Sequence, residues 1–153
     1  MSYIKYKFLE LIFKIVILIY NIRCIRIYSD IVLDHFKKPR NQGEMKDADA
    51  VGKAGSIECG DYIHVFIKVK EEGGKEILND ISYETFGCAA AIASSSMLTE
   101  MAKGKTLDEA EKITKMDIVD ALGGLPEPKI HCSLMVADGL KEAIKVYREK
   151  ENK

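Results

Sequence analysis

The sequence predicts an α+β domain: a small three-stranded antiparallel sheet with helices packed on one face. Three observations predict it. Apolar residues alternate with period two between residues 51 and 86. A glycine-tipped turn punctuates that stretch, and from residue 88 onward the apolar spacing is helical. Strands in direct succession followed by helices is the order of an α+β fold.

The elements follow in order. "YSDIVLDHFKKPRN" opens with a cap-like Ser29 and carries Ile31, Val32, Leu33 and Phe36. It must stop before Pro39, which disfavours helix at the residue ahead of it, so it reads as a short helix. Residues 40–50 are polar and loop-like. A first strand is expected over 51–58. The second is "YIHVFIKVK", where Ile63, Val65, Ile67 and Val69 alternate with Tyr62, His64, Phe66 and Lys68. "EEGGKE" is a turn with Gly73 and Gly74 at its tip, and the third strand spans 77–86. A tight turn between successive strands makes the sheet antiparallel.

The second half is helical. One helix runs from Cys88 to a glycine stop at Gly104. Thr106 with Glu109 three residues on forms a capping box for the next. Asp117 can cap another short helix. "GGLPEPK" reads as an extended linker, and a long final helix is expected from Ser133, with Val136, Leu140, Ala143, Ile144 and Tyr147 at helical spacing. The charged end "YREKENK" is a solvated helix terminus.

At 153 residues the chain suits one domain with a real core. Net charge is −1, but residues 1–27 hold five Lys/Arg against one Glu, which makes the remainder acidic. An acidic body without a basic stripe excludes a nucleic-acid binder. Residues 1–27 also differ in composition, with no Gly, Pro, Ala or Asp. Their apolar run Ile15–Tyr20 is too short for a membrane span, and no small-residue cleavage site follows it. Three readings stand for this extension: translation from a mis-assigned start, which is preferred, an amphipathic or interfacial helix, and a membrane anchor. The division is then 1–27 extension, 28–150 domain and 151–153 tail.

Four cysteines at wide, irregular spacing do not form a secreted disulfide framework. Free thiols in a reducing cytoplasm fit better, and that is the expected location. Cys24 lies in the extension and is discounted. Cys59 follows a strand in "CGD", Cys88 begins a helix after Gly87, and Cys132 stands ahead of the final helix. Aligned N–H groups at a helix start favour the thiolate, which is the form metals and electrophilic sulfur need. Asp61 and His131 add a carboxylate and an imidazole, each within two residues of a cysteine. The gaps of 29 and 44 residues fit no zinc-finger spacing, and single free cysteines are often small buried hydrophobes. Three of them at element boundaries, two with polar companions, weigh against that bland alternative. A zinc site, a nucleophilic cysteine with its base, and a site built for departing cargo all remain open on the residues alone.

"YSDIVLDHFKKPRNQG", "CGD", "FGCAAAIASSSMLTEMAKGKTLDEA" and "KIHCS" resemble the IscU/NifU-type iron–sulfur cluster assembly scaffolds, over nearly all of residues 28–150. The resemblance implies the same three-stranded fold. It implies that Cys59, Cys88 and Cys132 are cluster ligands, that Asp61 helps ligate and keeps the cluster labile, and that His131 is a ligand-capable neighbour. Cys132 matches the cysteine that accepts persulfide sulfur from a cysteine desulfurase. The implied cargo is a transient [2Fe–2S] cluster built from Fe(II), with [4Fe–4S] left open; on donor chemistry alone, Zn²⁺ in the purified protein is an open option. Iron and electron donors and recipient apo-iron–sulfur proteins are the implied partners, and a homodimer is an open option. The implied role is assembly and sulfur acceptance, not catalysis. The alternative is a zinc-binding sulfur acceptor or transfer protein.

Two departures matter. The subgroup served by a dedicated Hsp70-type chaperone carries Leu-Pro-Pro-Val-Lys before the third cysteine; here residues 125–129 read "LPEPK", which puts that handover in doubt. Full-length NifU proteins continue into further cluster-carrying domains, so a chain ending at Lys153 is expected to be the scaffold module alone. A cysteine-dependent enzyme is disfavoured because adjacent His131 and Cys132 place base and nucleophile poorly, and no third orienting group appears. His35 and His64 read as packing or surface residues, and Ser94–Ser96 as small residues for close helix packing.

Overall fold

The computed structural model describes residues 11, 12, 14, 15, 27–56 and 60–152. Gly73 and Gly74 form the hairpin tip, with φ of +61° and +73°. Positive φ at both central residues is the turn whose twist matches that of flanking strands, and glycine adopts it without strain. It joins β2 (Asp61–Glu72) to β3 (Lys75–Phe86), and β1 (Ala50–Ser56) pairs antiparallel on the other edge of β2, giving the order β1-β2-β3. A register shift at Lys68/Val69 separates the hairpin half of the sheet from the half where Tyr62 pairs with Phe86.

Ile63, Val65 and Ile67 point into the core, as the alternation predicts. Phe66 departs from it: on the outward face it is nonetheless buried, sheltered on the central strand between Val51 of β1 and Ser82 of β3. Tyr62 on the same face stays exposed.

The helices lie on the other face. The first, α1 (Asp30–Lys37), starts where Ser29 accepts a hydrogen bond from Val32 N–H and ends ahead of Pro39. It packs on α2 (Ala89–Ala102), which carries nine buried residues, including all three serines. Ser96 Oγ lies 2.8 Å from His35 Nδ1 and accepts from Arg40 N–H at 2.8 Å, so this serine ties α1 and its following loop to α2. His35 is a buried packing residue, as expected. Gly104, with φ +82°, follows α2.

Next come α3 (Leu107–Glu111), with the expected Thr106–Glu109 capping box, and α4 (Lys115–Ala121). Here the reading is corrected. Thr114 is the cap, and Asp117 is the third-position partner that reaches back to the Thr114 N–H.

The last helix brings a second correction. Glu127–Lys129 is a 3₁₀ turn that runs directly into α5 (Ile130–Glu151), so "GGLPEPK" is not extended to its end. Pro128 sits in the first turn, where a missing N–H costs nothing and a fixed φ suits the helix. His131 and Cys132 therefore lie inside the first turn of α5, not ahead of it. Further along, α5 lies across β1 and β2. A Cβ at Gly52 would overlap the Gly139 carbonyl and come within 2.8 Å of Ala143 Cα, so a glycine seam sets this helix–sheet distance.

Most of the 1–27 extension lies outside the described residues. Leu11, Ile12 and Ile15 within it are helical and exposed. Among the described residues, no helix is long and apolar enough to cross a membrane.

Candidate metal centre

Three element ends converge below the glycine seam. Asp61 opens β2 directly after Gly60, whose φ is +67°. The pairing of Tyr62 with Phe86 brings Asp61 alongside Gly87 and Cys88. A Cβ at Gly87 would stand 3.2 Å from Asp61 Cγ and 2.9 Å from Ala91 Cβ. The glycine of "FGC" is thus the space in which the carboxylate sits. Cys88 occupies the N-cap of α2, and its side chain makes no capping hydrogen bond. Cys132 arrives from the first turn of α5.

The resulting distances are short. Cys88 Sγ is 3.6 Å from Cys132 Sγ. Cys132 Sγ is 3.7 Å from His131 Nε2. Asp61, His131 and Cys132 each offer a ligand atom, all within 4.8 Å of one another, and they are the one such group among the described residues. Cys132 is buried, Cys88 and Asp61 are half-buried, and His131 is exposed. The fifth expected residue, Cys59, lies outside the described residues, as does Cys24. His64 is not in this group; its ring packs against Tyr62 at 5.3 Å.

Burial pushes the Cys132 thiol well above its ordinary range, and Cys88 and Asp61 push the same way, with only Lys129 opposing. At Cys132, burial thus acts against the stabilisation of the thiolate expected at a helix start. A bound cation reverses that balance, since a coordinating thiol loses its proton to the metal. The donor set combines soft sulfur, imidazole and carboxylate, which suits Fe(II), Zn²⁺ or an iron–sulfur cluster.

Lys129 is a residue of this site that the motifs did not point to as one. The anionic form of Cys88 holds its ammonium protonated against the effect of burial, with Tyr28, Cys132 and Asp61 adding to it. Its position two residues ahead of His131 was the available signal. Beside the site, Tyr62 and Phe86 are exposed and stack at 6.1 Å, forming an apolar rim.

The sequence and the fold have known counterparts. Residues 27–153 match the model of the NifU-like N-terminal domain family. Iron-sulfur cluster assembly scaffold protein IscU 1 of Archaeoglobus fulgidus is 55% identical over 126 residues, 82% of this chain and 80% of that protein. The IscU scaffold protein of Azotobacter vinelandii is 44% identical over 127 residues, 81% of this chain and 96% of that one. Nitrogen fixation protein NifU of Trichormus azollae is 51% identical over 127 residues, but these are only 42% of its length. The crystal structure of a NifU-like N-terminal protein from Brucella abortus has the same fold, with a TM-score of 0.60 at 23% identity, covering 81% of this chain and 96% of that one. The chain belongs to the NifU-like N-terminal domain family.

Proposed function

We propose that this chain is a scaffold on which iron–sulfur clusters are assembled and from which they pass to apoproteins. The observation that carries the reading is the approach of Cys88 and Cys132 to 3.6 Å with Asp61 and His131 beside them. Residues 28–150 form the working domain, with 1–27 an addition to it.

A cysteine desulfurase delivers sulfane sulfur to Cys132 by thiol exchange. Fe(II) enters as a substrate and is held by Cys88, Cys132, Asp61 and His131, with Cys59 as the third thiolate. The product is a [2Fe–2S] cluster, and its electrons come from an external donor. A permanent iron–sulfur site usually uses four thiolates. Here a harder oxygen ligand takes one place, and it is the ligand most readily displaced from a thiolate-preferring cluster. Asp61 is therefore the release ligand. The chain accepts and holds rather than catalyses, and the thiols require a reducing cytoplasm.

The test is anaerobic reconstitution of the full chain with Fe(II), cysteine and a cysteine desulfurase, read by visible absorption and Mössbauer spectra. A chromophore that forms, moves to an apo-ferredoxin and is lost in Cys88→Ala and Cys132→Ala is the expected result, with slower release from Asp61→Ala. Tightly held Zn²⁺ and no iron–sulfur chromophore would overturn the reading in favour of a zinc-binding sulfur acceptor.

A further inference from the structure

We infer that Cys88 is the thiol that reduces the sulfane sulfur carried by Cys132, releasing it as sulfide and leaving a Cys88–Cys132 disulfide. The inference rests on Cys132 being the sulfur acceptor. It assigns the first source of the two electrons that turn sulfane sulfur into sulfide.

The geometry points to it in three ways. The two sulfurs are 3.6 Å apart, while a disulfide bond is about 2.05 Å, so a modest side-chain swing closes the gap. Cys88 has no capping hydrogen bond to hold its side chain, so that swing breaks no such bond. Cys132 is only 1% exposed, and Cys88 meets its Sγ from within the fold, with no approach through solvent. Among the described residues, Cys88 is the thiol already beside it, and being half-buried it leaves the finished disulfide one reachable sulfur.

The step balances. Cys88, as thiolate, attacks Cys132 Sγ. The Cys88–Cys132 S–S bond forms and the bond from Cys132 Sγ to the outer sulfur breaks. The outer sulfur leaves with the bonding electron pair as HS⁻ and is taken by Fe(II). The Cys88 thiol proton has gone to water. Cys88 is oxidised, and the sulfane sulfur is reduced by two electrons. A small dithiol reductant, attacking at Cys88, then reopens the disulfide and restores both thiols. The external donor thus acts on the disulfide and need not reach the buried persulfide.

The experiment uses the full chain, anaerobic and free of metal. It is mixed one-to-one with a desulfurase that has been charged with persulfide and freed of cysteine. Sulfide, intact mass and cysteine peptide maps are followed over time for the unaltered chain and Cys88→Ser, each first checked for folding by circular dichroism. The expected result is sulfide release from the unaltered chain, with loss of two hydrogens from its mass and a mapped Cys88–Cys132 disulfide. In Cys88→Ser the extra sulfur should persist on Cys132 and sulfide release should fall by about tenfold or more. A persulfide equally long-lived in the unaltered chain and in Cys88→Ser overturns the inference and leaves the scaffold reading standing. So does a disulfide that runs from Cys59. Absence of extra sulfur on Cys132 of Cys88→Ser, with no sulfide released from the unaltered chain, overturns the acceptor role itself, and the inference with it.

Discussion

The middle of α5 and its first turn are held in opposite ways. The middle lies on β1 through Gly52 and Gly139, with backbone against backbone and no side chain between them. Gly139 itself has so little room that an added Cβ would meet Ile63 and Val65 methyls at 3.1 Å. The first turn carries His131 and Cys132, whose neighbours are titratable side chains at 3.6 Å to 4.8 Å. One region leaves no latitude. The other groups ligands brought near each other by three element ends, joined by long sulfur contacts of 3.6 Å and 3.7 Å rather than by backbone against backbone. A fixed seam sets where the first turn of α5 meets the other two element ends.

The strongest way to break this contrast is Gly52→Ala. The new Cβ meets backbone atoms that cannot rotate away, so α5 must lift from the sheet. A loss of about 3 kcal/mol is expected, at the upper end of overpacking costs. An unchanged urea midpoint would show that the seam does not set the helix position. Gly87→Ala sharpens the other side. It crowds the Asp61 carboxylate and Ala91 but lies away from the seam. Zn²⁺ affinity against a competing chelator should weaken about tenfold, about 1.4 kcal/mol, with the melting temperature lowered by only a few degrees. Full metal affinity would mean that Asp61 is no ligand.

Thr106→Ala removes one half of the α3 capping box and should cost about 1 kcal/mol in urea unfolding. Metal affinity should not change, and a weakened site would contradict the separation of the two regions. The smallest effect is on pH. Burial holds the His35 imidazole below its ordinary 6.5, with Arg40 acting the same way and Glu100 and Asp34 against it. The unfolded chain therefore takes up that proton first. His35 contributes its full stability above pH 6.5 and loses it as pH falls toward the lowered folded value. The melting temperature should drop between pH 7 and pH 5.5, less so in His35→Gln; equal slopes in the two proteins would assign the acid sensitivity to other groups.

Much of the frame was legible because its signals are local. "EEGGKE" names a hairpin tip, Thr106 and Glu109 name a helix start, and the period-two run names the central strand. The misreadings were non-local or came from overlapping signals. Phe66 is buried by cross-strand neighbours that a single strand cannot reveal. The start of α5 was masked by two prolines that read as linker but fit a helix entry. Thr114 is hard to single out as the cap because Asp117, three residues on, is also a capping residue type. At the site, the motifs picked out Asp61, Cys88, His131 and Cys132, but their approach depends on three element ends meeting in space. The space at Gly87 and the electrostatic coupling of Lys129 to Cys88 follow from that meeting and from no pattern along the chain.

The two-glycine hairpin tip has a practical consequence. β2 runs from Asp61 at the candidate metal centre to Glu72 beside the tip, and at about 3.3 Å per residue that strand spans about 35 Å. The register irregularity at Lys68/Val69 lies between them, and Gly73 and Gly74 are exposed. The tip is therefore a handle. A fluorophore or surface tether attached there would leave the ligand end free to face its partners, and docking and handover could be timed on a molecule held by its opposite pole.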